Sequence, residues 1–154
     1  LYFANGEALS TDESFVLVKE TWMYTIQKYW LKGEKAGTSE VFIENLPGFP
    51  DNVSSNKEGI FWVALFNPRN NFVEMSSNKP FLRKIVLRLP ELLQPQPIRH
   101  SFVLGLDESG KIVDNLQYQS NKAYSPITSV KQYENHLYFG SLTHPGWGKI
   151  KVPK

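Results

Sequence analysis

Short runs in which apolar and polar residues alternate, separated by clusters of Gly, Asn, Asp and Pro, fill most of this chain; a period of two marks half-buried strands. Residues 7–10 are extended, Thr11-Asp12-Glu13 turns the chain, and residues 14–20 are rich in β formers. Residues 25–30 alternate, and the polar glycine turn at 32–37 leads into a fourth strand at 39–43. A second unit opens at Asp51, turns at Lys57-Glu58-Gly59 and continues as strands at 60–66, 101–106 and 112–118, the last two joined by a turn at 107–110. A third runs from Ile127 through a turn at Glu134-Asn135 to strands at 137–140 and 149–152.

The units repeat in register. Phe3-Ala4-Asn5-Gly6 and Phe49-Pro50-Asp51-Asn52 lie 46 positions apart, and each precedes a strand-like run, Phe15-Val16-Leu17-Val18 or Phe61-Trp62-Val63-Ala64, by the same interval. Thr128 holds a similar position ahead of Leu137-Tyr138-Phe139-Gly140. Four-stranded antiparallel units with a period in the forties and no crossover helices describe the blades of a β-propeller, with a β-sandwich as the alternative. A closed ring needs about four blades or more. Two whole units and most of a third therefore read as the C-terminal half of a larger ring, whose open edges would leave these 154 residues poorly folded by themselves.

An up-and-down unit puts the start of its first strand and its second-to-third connection at the same end. Asn5, Asp51 and Thr128 are thus expected at one mouth, with the connections at 21–24, 67–100 and 143–148 around it. This places His100 and His144 on the mouth side and His136 on the opposite side. The connection at 67–100 interrupts the meander. Asn78-Lys79-Pro80 reads as a helix start, and Phe81, Leu82, Ile85, Leu89, Leu92 and Leu93 recur at helical spacing until Pro90 breaks or kinks the pattern. That helical insertion is either packing laid over an edge or a lid at a substrate or membrane surface.

Composition removes several function classes. With 154 residues and 41% hydrophobic content the chain can form an ordinary core, and a net charge of +2 without a Lys/Arg block gives no footprint for nucleic acid. The absence of cysteine excludes disulfides, thiolate metal ligands and a cysteine nucleophile. No apolar run reaches the ~18 residues of a membrane span, and no apolar targeting segment opens the chain.

The chemistry that remains is oxygen chemistry. Asn5 and Asp51, at matching points of neighbouring units, carry hard donors of the kind Ca²⁺ takes, but Asn-Gly and Asp-Asn also form turns that cap their own backbones. Asn52-Val53-Ser54 is the only glycosylation sequon, and a constricted mouth favours an internal role for its asparagine.

Residues 3–6, 12–18, 29–33, 35–37 and 46–52, together with 61–64 and 137–141, resemble the strictosidine synthase-like proteins, including their membrane-associated branch. The resemblance covers nearly the whole chain. It implies a six-bladed propeller related to calcium-dependent lactonases and arylesterases. This chain would supply about three blades, at 1–46, 47–120 and 121–154. Asn5, Asp51 and the adjoining Asn52 stand where such relatives carry metal ligands, which raises the metal reading above the turn reading. A glutamate and an asparagine completing the site, and a membrane anchor, would come from sequence upstream. His144, Trp147 and His100 are the expected contacts for a small ester or lactone; no general base is assigned. The chain also departs from the family. Thr128 falls where strictosidine synthase has its amine-handling glutamate, and threonine cannot act as a carboxylate base, so the alkaloid-forming condensation is not expected. Residues 22–26 lack the arginine expected there, and 54–56 differ from the usual run.

Overall fold

The computed structural model describes residues 4–69 and 99–153. Within them the chain is all-β, with eleven strands in three antiparallel sheets and one 3-10 turn at Thr21–Met23. The first sheet contains β1 (Ala4–Leu9), β2 (Phe15–Glu20), β3 (Thr25–Trp30) and β4 (Ser39–Ile43), and the second β5 (Gly48–Ser55), β6 (Ile60–Pro68), β7 (His100–Asp107) and β8 (Ile112–Gln119), each in sequential order. The third contains β9 (Ser129–Tyr133), β10 (His136–Gly140) and β11 (Gly148–Lys151). The helix expected between Asn78 and Leu93 lies outside the described residues.

Burial shows how the sheets stack. Along β6, Phe61, Val63 and Leu65 join a core with Phe15, Leu17, Ile26 and Phe42 of the first sheet, while Trp62 and Ala64 point the other way into a core with Val130, Leu137 and Phe139 of the third. On β7, Phe102, Leu104 and Leu106 face the first sheet and Val103 the third. The middle sheet is therefore covered on both faces, which is why residues 61–65 read as an unbroken apolar run instead of an alternating one. Each sheet presents its first strand to the next, β1 lying against β5 and β5 against β9. Sheets packed face to face, with their first strands side by side, are successive blades of a β-propeller.

Side chains stitch the inner strands together. Asn52 Nδ2 donates to the Thr128 carbonyl at 2.8 Å, Ser54 Oγ to that of Val130 at 2.6 Å, and Asn56 Nδ2 to Gln132 Oε1 at 3.2 Å. Gln132 Oε1 also accepts the Trp62 indole N–H at 2.7 Å, so the polar end of the largest buried side chain is satisfied across the same seam.

Candidate functional site: twin bulges at the propeller mouth

The two points of the sequence repeat have the same backbone irregularity. On β1, Ala4 pairs with Glu20 and Glu7 with Val18, leaving Asn5-Gly6 with one residue too many for its partner strand. On β5, Pro50 pairs with Leu65 and Val53 with Val63, leaving Asp51-Asn52 in the same position. Each pair is a β-bulge, a device that re-aims side chains and is common beside active sites. The sequence reading starts the first extended run at Glu7 and opens the second unit at Asp51, whereas β1 begins at Ala4 and β5 at Gly48. The structure keeps both pairs inside their strands.

Gly6 joins the two bulges. Its φ is +115°, and a Cβ there would come 2.9 Å from Asn52 Oδ1 and 3.1 Å from the Asp51 carbonyl. Only glycine allows this backbone and this approach; the exposed Asn5 precedes it on β1, which packs against β5. With Asn52 bonded to Thr128, the three matching points of the repeat gather at one end of the sheets. The Asn52 amide nitrogen is engaged within the fold.

Lys19 is a residue at the second bulge that the sequence reading missed. Its side chain is wholly buried, and Nζ lies 2.7 Å from Thr21 Oγ1, 3.1 Å from the Pro50 carbonyl and 3.7 Å from Asp51 Oδ1. Burial pushes the ammonium below its usual range, with Asp51 opposing that shift; burial likewise pushes the Asp51 carboxyl upward, with Lys19 opposing. In both partners desolvation outweighs mutual attraction. Phe49, just before the bulge, packs edge-on against Trp22 at 5.9 Å and tilted against Tyr24 at 4.8 Å.

The remaining expected residues have other neighbours. His100 Nε2 is 3.0 Å from Gln117 Oε1 and its ring stacks on Phe102 at 5.4 Å, two strands outward from β5. His144 lies in the β10–β11 loop with its ring 4.7 Å from Tyr124, and Trp147, in the same loop, is 5.5 Å from Tyr138 and 69% exposed. The Tyr124 hydroxyl sits between the carbonyls of Phe139 at 3.1 Å and Gly146 at 2.6 Å, anchoring that loop.

The donors at the bulges suit a hard cation. Asp51 supplies a partly exposed carboxylate that burial has stripped of some of its water. Asn52, whose amide nitrogen is engaged, has its oxygen left as a donor, and Asn5 adds a second amide. Among the described residues no three His, Asp or Glu side chains gather, so a metal here depends on amide oxygens and on groups from elsewhere in the protein.

Comparison with known proteins identifies the family. A family model described as Strictosidine synthase matches residues 1–34. Protein STRICTOSIDINE SYNTHASE-LIKE 10 of Arabidopsis thaliana is 42% identical over 156 residues, covering 96% of this chain and 41% of that protein. The chain is strictosidine synthase-like. Adipocyte plasma membrane-associated protein of Bos taurus is also similar to this strictosidine synthase-like chain, at 35% identity over 99% of the chain and 38% of the relative. The chain thus spans about two fifths of the length of these relatives. Among solved structures it is similar to a gluconolactonase from Xanthomonas campestris, with a TM-score of 0.61, 15% identity, and coverage of 99% of this chain and 39% of the other. It is similar too to a regucalcin from Agrobacterium tumefaciens, described as calcium-binding, with a TM-score of 0.53, 14% identity, and coverage of 92% and 39%. At such identities these likenesses show the fold, and they place the strictosidine synthase-like chain among propellers. No described helix of the chain is long and apolar enough to cross a membrane.

Proposed function

We propose that the full-length protein is a calcium-dependent ester or lactone hydrolase, built on a six-bladed propeller of which residues 1–46, 47–120 and 121–154 contribute three blade units. The observation that carries this reading is the pair of equivalent bulges, Asn5-Gly6 on β1 and Asp51-Asn52 on β5, which meet where Gly6 approaches Asn52 Oδ1 and the Asp51 carbonyl. These three residues would hold the ion. A bound Ca²⁺ supplies Lewis-acid polarisation of the scissile carbonyl and stabilises the oxyanion that develops there. Asp51 contributes the charge, and Asn5 and Asn52 contribute neutral oxygens. His144 and Trp147, from the β10–β11 loop, and His100, from the start of β7, are the residues assigned to substrate contact. The strictosidine condensation is not part of this function, because Thr128 has no acidic group and its carbonyl is engaged by Asn52. Membrane association, suggested by the names of several relatives, resides in an anchor outside these residues.

Supporting likenesses are the gluconolactonase and the calcium-binding regucalcin, each a neighbour in fold. A second reading, a non-catalytic binding or scaffold propeller on a membrane, is favoured by the exposure of Trp22, Met23, Leu142 and Trp147 on connections of the mouth side. Hydrolysis of an aryl ester and of a lactone by the full-length protein separates the two. Activity lost on chelation, restored by Ca²⁺ and abolished by Asp51→Ala is expected for the hydrolase. Inactivity towards both substrate classes with calcium bound would leave the scaffold.

A further inference from the structure

We propose that Lys19 is a resident counter-cation that competes with the divalent ion for Asp51, so that the mouth binds metal weakly and exchangeably; this rests on the calcium reading above. The Lys19 ammonium sits among three oxygens, from Thr21, Pro50 and Asp51, as a bound cation would. The lysine side chain has no exposed surface. The charge count follows directly. Asp51 brings one negative charge, Lys19 one positive charge, and the two asparagines none, so the described donors are neutral as a set. Calcium sites tune their affinity largely through ligand charge. A divalent ion sharing the Asp51 carboxylate must also tolerate a fixed positive charge a few ångströms away, with little water between to screen it.

The neighbouring blade shows that the fold itself does not require a cation here. In the first sheet Lys19 lies between Val18, paired to Glu7, and Glu20, paired to Ala4, on either side of the bulge. The equivalent place in the second sheet, between Val63 and Leu65, is held by the fully buried Ala64. The same bulge therefore forms opposite an alanine. A buried lysine is costly compared with an apolar residue unless its charge is used, and the charge it faces is that of the candidate metal ligand.

Calcium affinity of the full-length protein and of its Lys19→Met and Lys19→Ala variants, measured by calorimetry and by terbium luminescence with calcium competition, tests this. Removal of one positive charge beside the site is expected to tighten binding roughly ten-fold or more. A variant that folds by circular dichroism only once calcium is added would also support the proposal, since metal then takes over the lysine's role. Equal or weaker affinity in a folded variant overturns the proposal while leaving the calcium site standing. Absence of calcium binding in both wild type and folded variants overturns the proposal and the calcium reading together. Failure of both variants to fold with and without calcium overturns it as well, because lysine and metal are then not interchangeable.

Discussion

Lys19 Nζ lies 3.7 Å from Asp51 Oδ1 with no solvent access of its own, while the Asp51 side chain keeps 16% of its surface exposed. This asymmetry predicts unequal costs for breaking the pair. Asp51→Ala leaves a buried ammonium with only Thr21 and Pro50 as partners. It should cost roughly 2–3 kcal/mol, below the 3–5 of fully buried pairs because two hydrogen bonds survive. Lys19→Met leaves a carboxylate that water can still reach and should cost less. Urea denaturation of the two variants measures the order, and the reverse order would show that Asp51 is the more isolated partner.

Gly6 can carry no side chain without moving the second bulge. Gly6→Ala puts a methyl group against Asn52 Oδ1 at a φ of +115°. A loss of ~1–3 kcal/mol is expected, together with weakened calcium binding, since Asn5, Asp51 and Asn52 shift with it. The same substitution at Gly59, whose φ is +89° with open space around it, should cost stability without altering calcium binding.

Acid should loosen the β1–β2 turn late. The Asp12 carboxylate accepts the Ser14 N–H and the Ser10 hydroxyl, both at 2.9 Å, and these bonds, the Ser14 contributions foremost, bring its pKa from 3.8 to about 2. Its folded value lies below its unfolded one. The stabilisation is therefore complete above about pH 4 and is lost as pH falls through 2. Nuclear magnetic resonance titration should place Asp12 near 2, and Asp12→Ala should flatten the stability profile in that window alone.

A second buried lysine has a purely structural task. Lys28 Nζ lies over the rings of Phe15 at 4.1 Å, Phe42 at 4.8 Å and Trp30 at 5.1 Å, and donates to the Glu108 carbonyl at 3.0 Å. Lys28→Met should cost about 2 kcal/mol through the lost cation–π contacts and the orphaned carbonyl. Calcium affinity should stay unchanged, in contrast with Lys19→Met.

Strand order and the gathering of Asn5, Asp51 and Thr128 were legible because period-two alternation and a fixed repeat interval report directly on the backbone. The bulges were not. Asn-Gly and Asp-Asn advertise turns, and nothing in their local chemistry distinguishes a turn from an extra residue held in a strand by a neighbouring blade. Lys19 and Lys28 did leave a signal. Lys19 falls in phase with Phe15 and Leu17, and Lys28 with Ile26, so each sits on a face that its strand buries. A lysine in step with core residues needs a partner from another part of the chain, and which partner depends on packing between blades. His100, His144 and Trp147 were assigned to the mouth side by connectivity, which fixes an end of the sheet but not a distance from the axis.

Asn52, Ser54 and Asn56 engage Thr128, Val130 and Gln132 two residues at a time on both strands. Because successive strand residues face opposite ways, one residue inserted within either run would turn every later tooth of this comb away from its slot. The inner strands β5 and β9 are therefore one unit for redesign: they would have to be transplanted together or left alone.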